Sequence, residues 1–112
     1  MKVSDILPPV EQQAAFDLYA LNRIDDCSGC YCLTNAGGDI LYVGQAVSVQ
    51  QRLIQHFDSE KRAAMTVHGR VSRAWWRTEA VVKLDALERG WIDAIRLRDG
   101  QLPPFNRISG RT

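Results

Sequence analysis

The sequence predicts one small α+β domain in the order helix, hairpin, helix, strand, helix. Three observations carry that expectation. A strand–turn–strand pattern spans residues 30–43, a capping box opens a helix at Ser48, and an apolar stripe of helical period runs from Leu84 to Leu97. With 112 residues the chain has room for one core and not two.

Each element has a local cause. Pro8-Pro9 opens a segment from Val10 to Ile24 in which Val10, Ala14, Ala15, Leu18, Tyr19 and Leu21 are spaced to bury one face, so this stretch reads as a helix. Asp25-Asp26-Cys27-Ser28-Gly29 ends it. Cys30–Thr34 and Ile40–Val43 are rich in strand formers, and Asn35-Ala36-Gly37-Gly38-Asp39 between them is a turn, which makes an antiparallel hairpin. Ser48 with Gln51 caps a helix through about Phe57, whose apolar side is Val49, Leu53, Ile54 and Phe57. Residues 58–70 are polar and basic, a loop or a short extra helix. Val71–Val82 holds Trp75-Trp76 and Val81-Val82 and reads as a third strand. Leu84, Leu87, Trp91, Ile92 and Ile95 line the last helix, Gly100 stops it, and Leu102-Pro103-Pro104-Phe105-Asn106 reads as a rigid non-helical turn.

Bulk properties narrow the class. With 46% hydrophobic and 24% charged residues the chain is globular. No apolar run approaches the ~20 residues of a membrane span, and Met1-Lys2-Val3-Ser4-Asp5 lacks the apolar stretch of a secretory signal. Cys27, Cys30 and Cys32 are odd in number and close together, so a disulfide framework is not expected and a reducing cytoplasm is. They also lack a fourth ligand in sequence for tetrahedral zinc. The net charge is only +1, but it is unevenly spread. Residues 1–39 hold two bases against six acids. Residues 40–78 hold Arg52, Lys61, Arg62, Arg70, Arg73 and Arg77 against Asp58 and Glu60. A local basic stretch of this kind supplies phosphate contacts that the whole-chain charge does not announce, although a solvated, salt-bridged face gives the same composition.

Chemistry-bearing residues follow in a fixed order. Gly29-Cys30-Tyr31 and Tyr42-Val43-Gly44 place two tyrosines on paired strands with ten residues between them. Arg52 and His56 share one helix face, four residues apart, so an Arg fork for phosphate oxygens lies beside an imidazole. Glu88 sits four after Leu84 and four before Ile92, on the apolar side of its helix, where a carboxylate needs a partner. A divalent cation is one such partner. A lone carboxylate suits Mg2+, which keeps waters and borrows phosphate oxygens.

This ordered set resembles the GIY-YIG nuclease family over roughly residues 28–107, with Gly-Cys-Tyr for the first motif and Tyr-Val-Gly for the second. The resemblance implies a three-stranded antiparallel sheet flanked by helices over residues 28–112. Residues 1–27 are then an N-terminal helical extension of one compact domain. It implies a metal-dependent DNA endonuclease in which Glu88 holds Mg2+ or Mn2+ and Arg52 stabilises the phosphoryl group. Tyr31 and Tyr42, with His56, would border the site and handle the proton of the attacking water. Gly44 at the strand end would admit a phosphate. Gln45 stands where some members carry a Lys, so it offers a neutral hydrogen bond only. Asn106 is the family's late Asn, bonding backbone near the site. Apart from the resemblance, Arg73 and Arg77 flank Trp75-Trp76, a pattern that can stack on unpaired bases and contact nucleic acid, or else both tryptophans seal the sheet. Members act in repair, restriction, intron mobility and branch resolution, so a protein partner or a homodimer would supply specificity. The alternative is a nucleic-acid-binding or protein-interaction module on the same fold with weak or no catalysis.

Overall fold

The computed structural model describes residues 1–59 and 64–108. Lys61 and Arg62 of the basic stretch lie outside them. Strands β1 (Gln12–Ala15), β2 (Gly29–Thr34), β3 (Ile40–Ala46) and β4 (Arg73–Thr78) form one antiparallel sheet in the order β1-β4-β2-β3. The helices are α1 (Leu18–Leu21), α2 (Val49–Phe57), α3 (Leu84–Asp99) and α4 (Pro104–Ile108). The α+β class and the hairpin are as expected from the sequence. The sheet has four strands rather than three.

The fourth strand is the largest departure. Val10–Ile24 is not a helix. Gln12–Ala15 is extended and pairs with β4, Gln12 opposite Trp76 and Ala15 opposite Arg73. Without it, β4 would expose a full row of backbone donors and acceptors along a sheet edge. The helix that remains is one turn, started by Asp17, whose side chain accepts from the Ala20 N–H at 2.8 Å. Pro104–Ile108, expected as a turn, is also helical. Pro104 takes the first position, where its missing N–H costs nothing, and the Asn106 and Arg107 amides bond to the Pro103 carbonyl. Residues 64–70 make a tight turn closed by the Thr66–Gly69 bridge.

Both sheet faces are covered. Tyr31, Leu33, Ala74 and Trp76 pack with Val49 and Leu53 of α2 and with Phe105 on one side. Cys30, Cys32, Ile40 and Val43 pack with Leu84, Leu87, Trp91, Ile92 and Ile95 of α3 on the other. The adjacent tryptophans divide between these layers. Trp76 is buried in the first, and Trp75 packs against the second, donating to Thr34 Oγ1 at 2.9 Å. Both seal the sheet and neither stands out as a stacking platform. Among the described residues no helix is long and apolar enough to cross a membrane.

Gly29 shows why the first motif begins with glycine. A Cβ there would sit 2.2 Å from the Arg77 carbonyl oxygen of the neighbouring strand. Backbone cannot swing aside as a flexible side-chain end does. Gly29→Ala should therefore cost about 1–3 kcal/mol in chemical denaturation through forced separation of β2 and β4.

Candidate active site

β3 is one of the two edge strands of the sheet, and the expected catalytic residues gather along it from both faces. On the α2 face the helix is anchored at its start. Ser48 accepts from the Gln51 N–H and donates to Asp26 Oδ2 at 2.6 Å, while Asp26 Oδ1 accepts from the Gln50 N–H at 3.0 Å. The Ser48 bond is the main reason that the Asp26 carboxyl is held below its ordinary range. Gln50 reaches back to the carbonyls of Leu21 and Ile24, which ties the N-terminal segment to α2. So fixed, α2 turns Leu53 and His56 inward and leaves Arg52 exposed.

His56 lies beside both phenols. Tyr31 Oη and His56 Nε2 share a 2.7 Å hydrogen bond, and the Tyr42 ring lies edge-on to the imidazole with centroids 4.9 Å apart. The two tyrosine rings are 6.1 Å apart. Gly44 makes this cluster possible. A Cβ on it would lie 2.6 Å from both Cζ and Oη of Tyr31 and 2.9 Å from Cε2 of Tyr42. The space that a side chain on Gly44 would fill belongs to the Tyr31 phenol, while the glycine backbone itself lines the cleft.

Burial is the first cause of the raised pKa of both phenols. Tyr31, fully buried, is pushed well above the ordinary tyrosine value, with the Tyr42 charge adding and Arg52 opposing by charge and hydrogen bond. Tyr42 is pushed up by burial and by Glu88, against Arg52 and a hydrogen bond with Tyr31. Behind them Cys30 is raised to about 12, by burial first and then by Glu88, Glu79 and Asp85, and Cys32 is raised further by burial. All four groups hold their protons more tightly folded than unfolded. Their stabilising contribution is complete below the ordinary values of 9.0 for thiols and 10.0 for phenols, and it is lost as pH climbs through the folded-state values. Denaturation midpoints should hold up to about pH 9 and then fall, each titrating group removing about 1.4 kcal/mol per pH unit. Replacing Cys30 by Ala should flatten the fall. A stability that stayed level to about pH 11 would contradict this packing.

Glu88 approaches the same edge from α3. Gln45 Nε2 donates to Glu88 Oε1 at 2.9 Å and to Asp85 Oδ1 at 2.6 Å. The neutral amide thus holds two carboxylates one helical turn apart. Asp85 is a site neighbour that the sequence reading missed, although its position three before Glu88 put it on the same helix face. Neither Glu88 nor Arg52 forms an ion pair among the described residues. Both line one cleft of about 340 Å3, with Tyr42, Gly44 and Gln45 between them. Glu88 and Gln45 also border a second cleft of about 500 Å3 along α3.

The other expected contacts lie elsewhere. Asn106 is fully buried; its side chain accepts from the Val43 N–H at 2.9 Å and donates to the Val43 carbonyl at 3.0 Å, closing the β3 edge beside the cleft rather than entering it. Arg77 pairs with Glu11 at 3.4 Å and donates to the Pro9 carbonyl, and Arg73 stands exposed at the far end of β4. Neither lines the cleft. Among the described residues no group of three or more His, Cys, Asp or Glu converges on a metal position. A half-buried carboxylate held, among the described residues, by a neutral amide alone fits a cation that draws its remaining ligands from water and substrate.

Residues 27–95 match the family model of the UvrC-like GIY-YIG domain. No curated protein matches the chain.

Proposed function

The chain belongs to the GIY-YIG nuclease family, as a UvrC-like domain, and from that premise we propose that it is a metal-dependent DNA endonuclease that hydrolyses phosphodiester bonds. The observation that carries this reading is the cleft itself: a carboxylate and a guanidinium, neither ion-paired among the described residues, line one cavity with a phenol between them. Opposite charges left apart in this way fit a phosphate and its counter-cation better than they fit a structural role.

Glu88 would hold Mg2+ or Mn2+, steadied by Gln45, and such a cation would supply Lewis-acid stabilisation of the negative charge that develops on the phosphate. Arg52, exposed on the opposite wall, forks onto the non-bridging oxygens and gains strength as negative charge builds in the transition state. The proton of the attacking water needs a path that avoids a phenolate, because burial disfavours ionising either tyrosine. Tyr42, at the cleft wall, takes that proton while passing its own to Tyr31, which passes its own to His56 Nε2 across the 2.7 Å bond. The oxygen–phosphorus bond forms, the bond to the 3′-oxygen breaks, and that oxygen takes a proton from solvent. Each phenol ends neutral and the imidazole ends charged. The products carry 5′-phosphate and 3′-hydroxyl ends.

End-labelled duplex, nicked, flapped and branched DNAs incubated with Mg2+ or Mn2+ test this. Fragments with 5′-phosphate and 3′-hydroxyl termini are expected from at least one of them. Intact DNA throughout the panel would overturn the reading in favour of a binding module.

A further inference from the structure

The central cleft is the middle of a longer trough. It shares Gln45 and Glu88 with the cleft along α3, and Ala46, Val47 and Arg52 with a third cleft of about 270 Å3 on α2. The three run together across the open edge of β3. The two arms differ in chemistry. The α3 arm sets Asp85, Glu88 and Asp93 against Arg89 and Arg96, a negative surplus that disfavours a phosphodiester chain. Among the described residues no acid lines the α2 arm. It presents Gln51 and Gln55, both exposed, one helical turn or ~6 Å of rise apart. Their side-chain amides bond to no described residue. Val47, 70% exposed, forms the crest between this arm and the central cleft.

Resting on the nuclease reading above, we propose that the α2 arm is a nucleotide subsite that receives an unpaired strand next to the scissile phosphate. Carboxamides both donate and accept, which matches the mixed donors and acceptors of a base edge as a cationic side chain does not. In a duplex those base edges are paired and stacked, out of reach of a narrow cleft. An unpaired nucleotide offers its edge to Gln51 and Gln55 and its apolar face to Val47. Arg52, bordering both clefts, takes the phosphate that joins the two positions. The chain thus selects DNA with a single-stranded arm at the cut.

The test uses the Glu88→Gln protein so that DNA survives the measurement. Fluorescein-labelled duplex with a single-stranded arm, and fully paired duplex of equal length, are titrated by anisotropy over a salt series. The armed DNA should bind at least about tenfold more tightly. Adding Gln51→Ala with Gln55→Ala should lower affinity for armed DNA by about tenfold and leave paired duplex unchanged. The salt slope should stay the same, because neutral amides release no counterions, whereas Arg52→Ala should reduce it by about one phosphate. Both glutamines are exposed, so the melting temperature serves as the folding control. Equal affinity for the two DNAs, or a double-variant loss of the same size on both, would overturn the subsite. A parent enzyme that cuts DNA without preference for an arm removes the subsite alone; one that binds the arm through these glutamines but never cuts removes the nuclease reading alone.

Discussion

Glu88→Gln should abolish cleavage, by at least ~10²–10³-fold, while the protein melts within a few degrees of the parent. The side chain is half-buried and, among the described residues, accepts one hydrogen bond, from Gln45, which the amide oxygen of glutamine can still accept. No ion pair among the described residues is broken by losing the charge. The structural cost is therefore small, and the functional cost is the loss of the carboxylate assigned to the cation. Circular dichroism melting and cleavage of labelled DNA on the same preparations separate the two. A variant that cut as well as the parent would remove Glu88 from the mechanism. A variant that unfolded would show that Glu88 is a structural residue of α3.

Gly44→Ala should damage both stability and activity. The added methyl would lie 2.6 Å from the Tyr31 ring and hydroxyl, well inside contact distance. Tyr31 cannot yield easily: it is fully buried, packed in the layer under α2, and bound to His56 at 2.7 Å. Overpacking of this kind costs about 1–3 kcal/mol, and relieving it moves the phenol off the imidazole. Cleavage should then fall as far as in Tyr31→Phe, which lacks the hydroxyl but keeps the ring. The pair discriminates cause from effect. Tyr31→Phe should lose activity and about 1 kcal/mol with the buried bond to His56, whereas Gly44→Ala should lose activity through displacement of a phenol that is still present. Full activity in Gly44→Ala would mean that the close approach of the two tyrosines has no part in the chemistry.

Much of the fold was legible because its signals are local. The Ser48–Gln51 cap, the Gly38 turn and the stripe from Leu84 to Ile95 each lie within a few residues and mark one element. The grouping of Arg52 with His56 follows from helical spacing alone, and the match of Glu88 to the apolar stripe pointed across the sheet. Gln12-Gln13-Ala14-Ala15 was read wrongly because it has no strand formers; β4 imposes the extended state by pairing with it. Asp17 did carry a readable cap signal that should have split the long helix. The bond from Gln45 to Asp85 spans 40 residues, and no spacing rule connects them. A second use of Gly44 was equally hidden: besides lining the cleft, it leaves the space that the Tyr31 ring occupies. Arg77 looked available for DNA in a basic stretch, but its partner Glu11 lies in the segment misread as helix.

The central claim is that the charges left apart across this cleft serve metal-dependent phosphodiester hydrolysis. Its most direct test is end-labelled duplex carrying a single-stranded arm, incubated with the purified protein in Mg2+, in Mn2+ and in excess chelator. Cut strands are expected in either metal and intact DNA with chelator. Equal cleavage with chelator would contradict the role given to Glu88, and intact DNA in both metals, with nicked and branched DNA also untouched, would contradict the enzyme itself.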